Sequence, residues 1–119
     1  MALTIEQKQN YLYCAMILIT IAVTCWGYLQ TQKKWIFFRD AENSFYRHQF
    51  SEAINFYQEA LKKGPIITTA YVHLADAYVA EGRFSDAIQW YRRYLDLYPN
   101  DTNARLSYAH ALNWSGRLE

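Results

Sequence analysis

The chain has 119 residues, enough for one small domain with an appended segment. Its formal net charge is +1, so bulk electrostatics give no reason to expect a nucleic-acid partner. Hydrophobic residues make up 52% of the chain and aromatic residues 18%, and because they are unevenly distributed, we expect parts of the chain to face two different solvents. Cys14 and Cys25 both lie in the most apolar stretch, too far apart along a helix to form a disulfide.

An uncharged segment extends from Gln9 to Gln32. Its centre reads YLYCAMILITIAVTCWGYLQ, which has about the 20 residues needed to cross the hydrocarbon core of a bilayer. Tyrosine and tryptophan residues lie at both ends, as they do in the interfacial belts of membrane proteins. We therefore predict an N-terminal tail at 1–9 and a transmembrane helix at 10–32.

Two alternatives to an anchor are a buried helix of a soluble fold and a cleaved signal peptide. A buried helix would have to be covered all round, and no other segment of the chain could do this. A signal peptide would need a basic leader and a cleavage site, but Lys8 is opposed by Glu6 and no small-x-small site follows the apolar run. We therefore expect an uncleaved anchor. Because no proline or glycine lies between Gln30 and Gln49, one helix should continue from about Asn10 to Arg47.

After Lys33 the sequence repeats with a period of 34 residues. Between the first two copies, the identical pairs at this offset are Ala41/Ala75, Phe50/Phe84, Ser51/Ser85, Ala53/Ala87, Ile54/Ile88, Tyr57/Tyr91, Leu61/Leu95 and Pro65/Pro99. A third copy begins at Thr102 and continues the series at Ala109. The chain stops where the second helix of this copy should begin, so 102–119 is either the first helix of a truncated repeat or a capping helix. We favour truncation because Leu112, Trp114 and Leu118 would make a poor polar cap.

This pattern resembles the tetratricopeptide repeat (TPR) over residues 34–119. The resemblance implies an all-α solenoid of antiparallel helix hairpins with about 2.5 repeats, divided as 33–67, 68–101 and 102–119. The alanines of the series mark the closest helix contacts, so leucine at Ala75 should disrupt a hairpin far more than leucine at Ala77. Gly82 should end a helix in the left-handed conformation, and Ser51 and Ser85 should cap the helices that follow the turns. Pro65 and Pro99 should stop the second helices.

The first repeat departs from the family pattern. Asp40 and Ser44 stand where the family places large core residues, and His48 replaces the turn glycine. In the second repeat Tyr94 replaces a small alanine. Because of the departures in the first repeat, we expect its first helix to pack loosely, as terminal repeats often do.

Motifs for catalysis and for cofactor binding are missing from the sequence. The three histidines, His48, His73 and His110, are far apart and have no metal-ligand spacing with a cysteine. We therefore expect a protein that is not an enzyme and that carries no metal or other cofactor.

The chemistry that remains is recognition, which in TPR arrays takes place in a concave groove lined by the first helix of each hairpin. By the repeat register, the predicted partner-binding residues are Phe38, Arg39, Glu42, Tyr46, Val72, His73, Asp76, Leu106, His110, Asn113 and Trp114. Glu42, Asp76 and His110 should form a polar stripe, and Phe38, Val72 and Leu106 an apolar stripe beside it. Such a groove suits a protein or peptide segment that carries lysine or arginine.

These features favour a membrane-anchored scaffold that recruits a protein partner to a membrane complex. The alternatives are a small structural subunit of a larger membrane complex and, from a likeness of LSYAHALNWSGRLE, a TPR component of bacterial polysaccharide export or envelope biogenesis. Lys33, Lys34 and Arg39 outnumber Lys8, which favours repeats on the cytoplasmic side of a bacterial inner membrane. The envelope likeness would place the repeats in the periplasm.

Overall fold

The structure, a computed structural model, describes residues 2–64 and 67–118. Its regular elements within these ranges are five helices: α1 (Ile5–Tyr46), α2 (Phe50–Lys62), α3 (Thr69–Ala80), α4 (Phe84–Leu97) and α5 (Thr102–Leu118). The prediction of an all-α fold is confirmed. The chain divides into two compact units, Met1–Gln32 and Lys33–Glu119. The predicted role of Pro65 and the side chain of Leu118 lie outside the described residues.

The first unit consists of the apolar part of α1. This helix contains a window of mean hydropathy 1.9, long and apolar enough to cross a membrane, and 0% of that window is buried. The helix is continuous to Tyr46, as predicted, but it begins at Ile5 rather than near Asn10. The earlier start has a local cause, because Thr4 and Gln7 form a reciprocal capping box. The backbone N–H of Gln7 donates to Thr4 Oγ1 (3.3 Å), and the backbone N–H of Thr4 donates to Gln7 Oε1 (3.0 Å).

Small residues allow the helices of the second unit to approach each other closely. Ala41, Ala53, Ala75 and Ala87 are fully buried, as the repeat register predicts. Ala77 is also fully buried. The burial of Ala77 removes the reason to expect leucine at Ala75 to be far more disruptive than leucine at Ala77, because a larger side chain would have to displace core atoms at either position.

The largest fully buried side chains among the described residues are Tyr57, Tyr91 and Leu74. Tyr57 and Tyr91 occupy the same position in α2 and α4. Around them lies one continuous apolar core that includes residues of α1, α2, α3, α4 and α5. This core holds the first helices of the repeats in register with their partners.

The two turns within the hairpins have the same backbone hydrogen bonds. The Arg83 amide donates to the Tyr78 carbonyl (2.8 Å), and the Gln49 amide donates to the Ser44 carbonyl (2.9 Å). Both bonds span five residues around a left-handed residue, which is Gly82 (φ 73°) in one turn and His48 (φ 61°) in the other. The predictions for Gly82 and for His48 as a turn residue are confirmed. His48 adopts the left-handed conformation although its β-carbon makes that conformation unfavourable.

The predicted serine caps are wrong. The N-cap residues of α2 and α4 are Gln49 and Arg83, and neither side chain makes a capping hydrogen bond. Ser51 lies inside the first turn of α2, and its hydroxyl instead donates to the Glu81 carboxylate (2.8 Å) at the end of α3. Ser51 therefore links neighbouring repeats rather than capping a helix.

Tyr94 and Asp101 connect the second repeat to α5. The Asp101 carboxylate accepts from the Ala104 amide (3.1 Å) at the start of α5 and from the Tyr94 hydroxyl (2.8 Å). These hydrogen bonds, the one from the Ala104 amide first, lower the pKa of Asp101. The tyrosine that replaces an alanine in this repeat therefore has a local function, since it holds the loop that leads into α5.

Candidate functional site

The eleven predicted groove residues lie on the C-terminal part of α1, on α3 and on α5. The exposed members of the set are Arg39, Tyr46, Leu106, His110, Asn113 and Trp114. The partly buried members are Phe38, Glu42, Val72, His73 and Asp76. The set therefore contains side chains that face solvent and side chains that hold the helices together.

Glu42 belongs to the second group. Its carboxylate accepts a hydrogen bond from the Tyr57 hydroxyl (2.5 Å), and its Oε1 lies 2.9 Å from Nδ1 of His73. Burial, together with the Glu42 carboxylate, raises the pKa of Tyr57 far above its ordinary value, so this hydroxyl remains a donor. Glu42 therefore ties α1 to both α2 and α3.

Asp76 repeats this arrangement one repeat further along. Its carboxylate accepts from the Tyr91 hydroxyl. Burial raises the pKa of Asp76, against the opposing effects of the Tyr91 hydrogen bond and of the charge on His73. Tyr91 also makes a hydrogen bond with Ser107 of α5. An acid on the first helix, a tyrosine on the second and a polar residue on the next first helix thus recur at the 34-residue offset.

This linkage was missed by the sequence reasoning, which treated Glu42 and Asp76 as free groove residues. A usable signal was present, because each acid precedes its tyrosine by fifteen residues in both repeats. His110 occupies the equivalent position in α5, but it is exposed rather than partly buried. The structure therefore brings Glu42 and His73 into contact and gives Asp76 a separate partner.

Aromatic side chains accompany these polar groups. The ring of Phe45 stacks on His73 (centroids 5.0 Å apart), and Tyr46 meets the same histidine edge-on at 6.2 Å. On α5, Trp114 stacks against Phe84 of α4 (6.4 Å). Tyr46 is 68% exposed, Leu106 58% and Trp114 48%. The groove positions thus present large apolar side chains to solvent.

A second apolar surface lies between α4 and α5. Its lining residues are Arg92, Leu95, Asp96, Pro99, Arg105, Tyr108, Ala109 and Leu112. Ala41 and Ala75 are fully buried against a second helix, whereas the equivalent Ala109 is exposed. The face that packs against a second helix in the first two repeats is therefore open on α5 within the described chain.

Among the described residues, no three His, Cys, Asp or Glu side chains lie close enough together to hold a metal ion. The polar groups Glu42, His73 and Asp76 instead form hydrogen bonds and pairs between helices.

Comparison with known proteins identifies the family. A family model described as tetratricopeptide repeat matches residues 39–102, which is more than half of the chain. A search of curated proteins found no match, and the comparisons give no support to the likeness of 106–119 to polysaccharide-export proteins. The matched segment begins within α1 and extends to the start of α5, and it contains the buried alanines and tyrosines described above. The chain belongs to the tetratricopeptide-repeat family.

Proposed function

We propose that the protein is a membrane-anchored TPR scaffold that binds a protein segment on its groove residues. The observation that carries the proposal is the exposure of Tyr46, Leu106 and Trp114 at groove positions of α1 and α5. Large apolar side chains at the surface of a folded unit mark an interaction site when they recur on one face, and aromatic residues are typical anchors of protein interfaces.

The polar groups of the groove would orient the partner. Glu42 accepts a hydrogen bond from Tyr57 of its own repeat and contacts His73 of the next repeat, but each carboxylate oxygen has two acceptor sites and about a fifth of this side chain is exposed (21%). A lysine or arginine of the partner can therefore add to the Glu42–His73 pair without breaking it. An extended peptide or an amphipathic helix with apolar anchors and basic residues fits this combination.

The anchor would be the apolar part of α1. Its unburied surface suits lipid, and its threonines are satisfied within the helix: the Thr20 hydroxyl donates to the Ile17 carbonyl (2.7 Å) and the Thr24 hydroxyl to the Ile21 carbonyl (2.8 Å). The lysines that follow the apolar run support repeats on the cytoplasmic side of a bacterial inner membrane. Reporter fusions at the C-terminus test this topology, since a reporter active only in the periplasm would reverse it.

The groove is tested with the full chain in native-like membranes by site-specific photo-crosslinking from Asn113. We expect Tyr46→Ala/Trp114→Ala to lose the partner that the parent protein captures. The matched control is Ile67→Ala/Leu97→Ala, which removes two exposed apolar side chains outside the predicted groove. Equal capture of the partner by both double variants would refute the groove as its binding site.

Charge reversal at Glu42 and Asp76 is a poor test of binding. Lysine at either position would remove the acceptor of a buried tyrosine hydroxyl, so loss of partner and loss of fold could not be separated. The aromatic variants avoid this problem because both side chains are substantially exposed.

A second candidate function is a small structural subunit of a larger membrane complex. The exposed aromatic side chains of the apolar helix, Tyr11, Trp26 and Tyr28, favour it, because they can pack laterally against helices of other subunits. Purification in mild detergent separates the candidates: an obligate subunit never appears alone, whereas a scaffold is recovered partly free.

A further inference from the structure

Two pairs of lysines from different helices meet at one end of the first repeat. Lys33 and Lys34 belong to α1, while Lys62 is the last residue of α2 and Lys63 is its C-cap. Lys33 and Lys63 line the same surface depression, and a β-carbon at Gly64 would lie 4.0 Å from Cδ of Lys34. The contact between Phe37 and Phe56, whose ring centroids are 6.5 Å apart, joins the two helices in this region.

One acidic side chain, Glu59, lines the depression with Lys33 and Lys63. It pairs with Lys62 at 2.6 Å on an exposed surface. The hydrogen bond from Lys62, followed by the charges of Lys62 and Lys63, lowers the pKa of Glu59. Lys33, Lys62 and Lys63 around this one carboxylate leave an excess of positive charge. The name basic patch refers below to these three lysines together with Lys34.

The repeat architecture itself does not require this charge. In the second repeat, the residues at the positions of the basic patch are Ile67, Thr68, Asp96 and Leu97. Both hairpins form the same helices and the same left-handed turn, so the lysines are dispensable for folding a hairpin. They are confined to the repeat that directly follows the apolar helix.

We propose that the basic patch binds anionic lipid headgroups and holds the end of α2 at the membrane surface. The inference rests on the proposed anchoring of α1, because Lys33 directly follows the uncharged segment and must then lie near the interface. Lys63 lies beside Lys33 and is brought to the same depth. Each lysine close to an anionic surface strengthens association by about fivefold.

The neighbouring apolar side chains favour a lipid surface over an acidic protein. Trp35 and Ile36 are both exposed beside the lysines, at 40% and 46%. A tryptophan at headgroup level and lysines whose aliphatic stems lie along apolar surface are typical of a membrane interface. The patch therefore combines the charge and the apolar contacts that such an interface offers.

The test uses the full chain in nanodiscs made of phosphatidylcholine alone or of phosphatidylcholine mixed with phosphatidylserine. Amide hydrogen exchange is measured for the end of α2, residues 59–64. We expect exchange there to be at least about fivefold slower in the anionic discs, and the difference to shrink as salt is raised. Lys62→Gln/Lys63→Gln should abolish the difference between the two lipids.

The control is Arg92→Gln/Arg93→Gln, which removes an adjacent basic pair from α4 and should keep the lipid-dependent protection. Equal exchange in both kinds of disc, for protein that co-elutes with the discs, would refute lipid binding by the basic patch and leave the proposed anchor intact. Protein that fails to enter discs of either composition would overturn the anchor and the patch together.

Discussion

The first and second repeats share their alanines and their buried tyrosines but differ in what fills the hairpin interior. At one core position the second repeat has Leu74, fully buried, where the first has Asp40, paired with Arg39 at the surface (3.0 Å). At another it has Tyr78 where the first has the small Ser44. Both hairpins nevertheless form, so close helix contacts define the hairpin and the remaining positions adjust how much apolar volume stabilises it.

The largest expected difference in stability is between substitutions at Leu74 and at the equivalent Asp40 of the first repeat. Leu74→Ala should lower the free energy of unfolding by about 2–5 kcal/mol, because it removes buried apolar atoms and leaves a cavity. Asp40→Ala should change it by less than about 1 kcal/mol, because the exposed pair with Arg39 contributes little. Urea unfolding of the full chain in mild detergent, followed by circular dichroism, measures both. Equal losses would mean that the repeats are stabilised alike.

The alanine series gives the next largest effect and includes its own control. Ala75→Leu should destabilise the protein by about 1–3 kcal/mol through overpacking. Ala109→Leu should have almost no effect, because Ala109 is exposed. The same unfolding measurement applies. A destabilisation at Ala109 as large as that at Ala75 would show that the face of α5 around Ala109 is covered in the folded protein.

Exchanging the turn residues Gly82 and His48 should change the stability of the protein in opposite directions. Gly82→His should cost about 1 kcal/mol, because a β-carbon disfavours the left-handed conformation although no atom lies within 4 Å of it. His48→Gly should gain somewhat less than about 1 kcal/mol, since it also loses the ring contact with Phe50 (5.7 Å). A loss of stability for His48→Gly would show that this ring contact outweighs the backbone strain.

The smallest effect concerns pH. Because burial raises the pKa of Asp76, its ionised form is disfavoured in the folded state. Its contribution to stability is therefore fully present below the unfolded value of about 3.9 and is lost as pH rises through the folded value. Asp76→Asn keeps an oxygen acceptor for Tyr91 and removes this dependence, so its stability relative to the parent should increase from acidic to neutral pH. A difference in the free energy of unfolding between the two proteins that does not change with pH would contradict the raised pKa of Asp76.

The groove shows where sequence reasoning was incomplete. The register placed the eleven residues on the first helices, yet it could not separate Tyr46, which faces solvent, from Glu42, which binds Tyr57. That separation depends on where the second helix packs, and the residues of one helix do not contain this information. Whether these residues bind a partner stays a prediction.

The sequence by itself determined the apolar N-terminal helix, the repeat length, the alanine contacts and the left-handed turns. These features follow from hydrophobicity, period and the conformational limits of single residues, all of which are local. The tertiary structure alone decided that Ser51 bonds to the next repeat, that Ala77 is buried and that the basic patch gathers lysines from two helices. Each of these depends on residues that are distant in sequence and adjacent only after the helices pack.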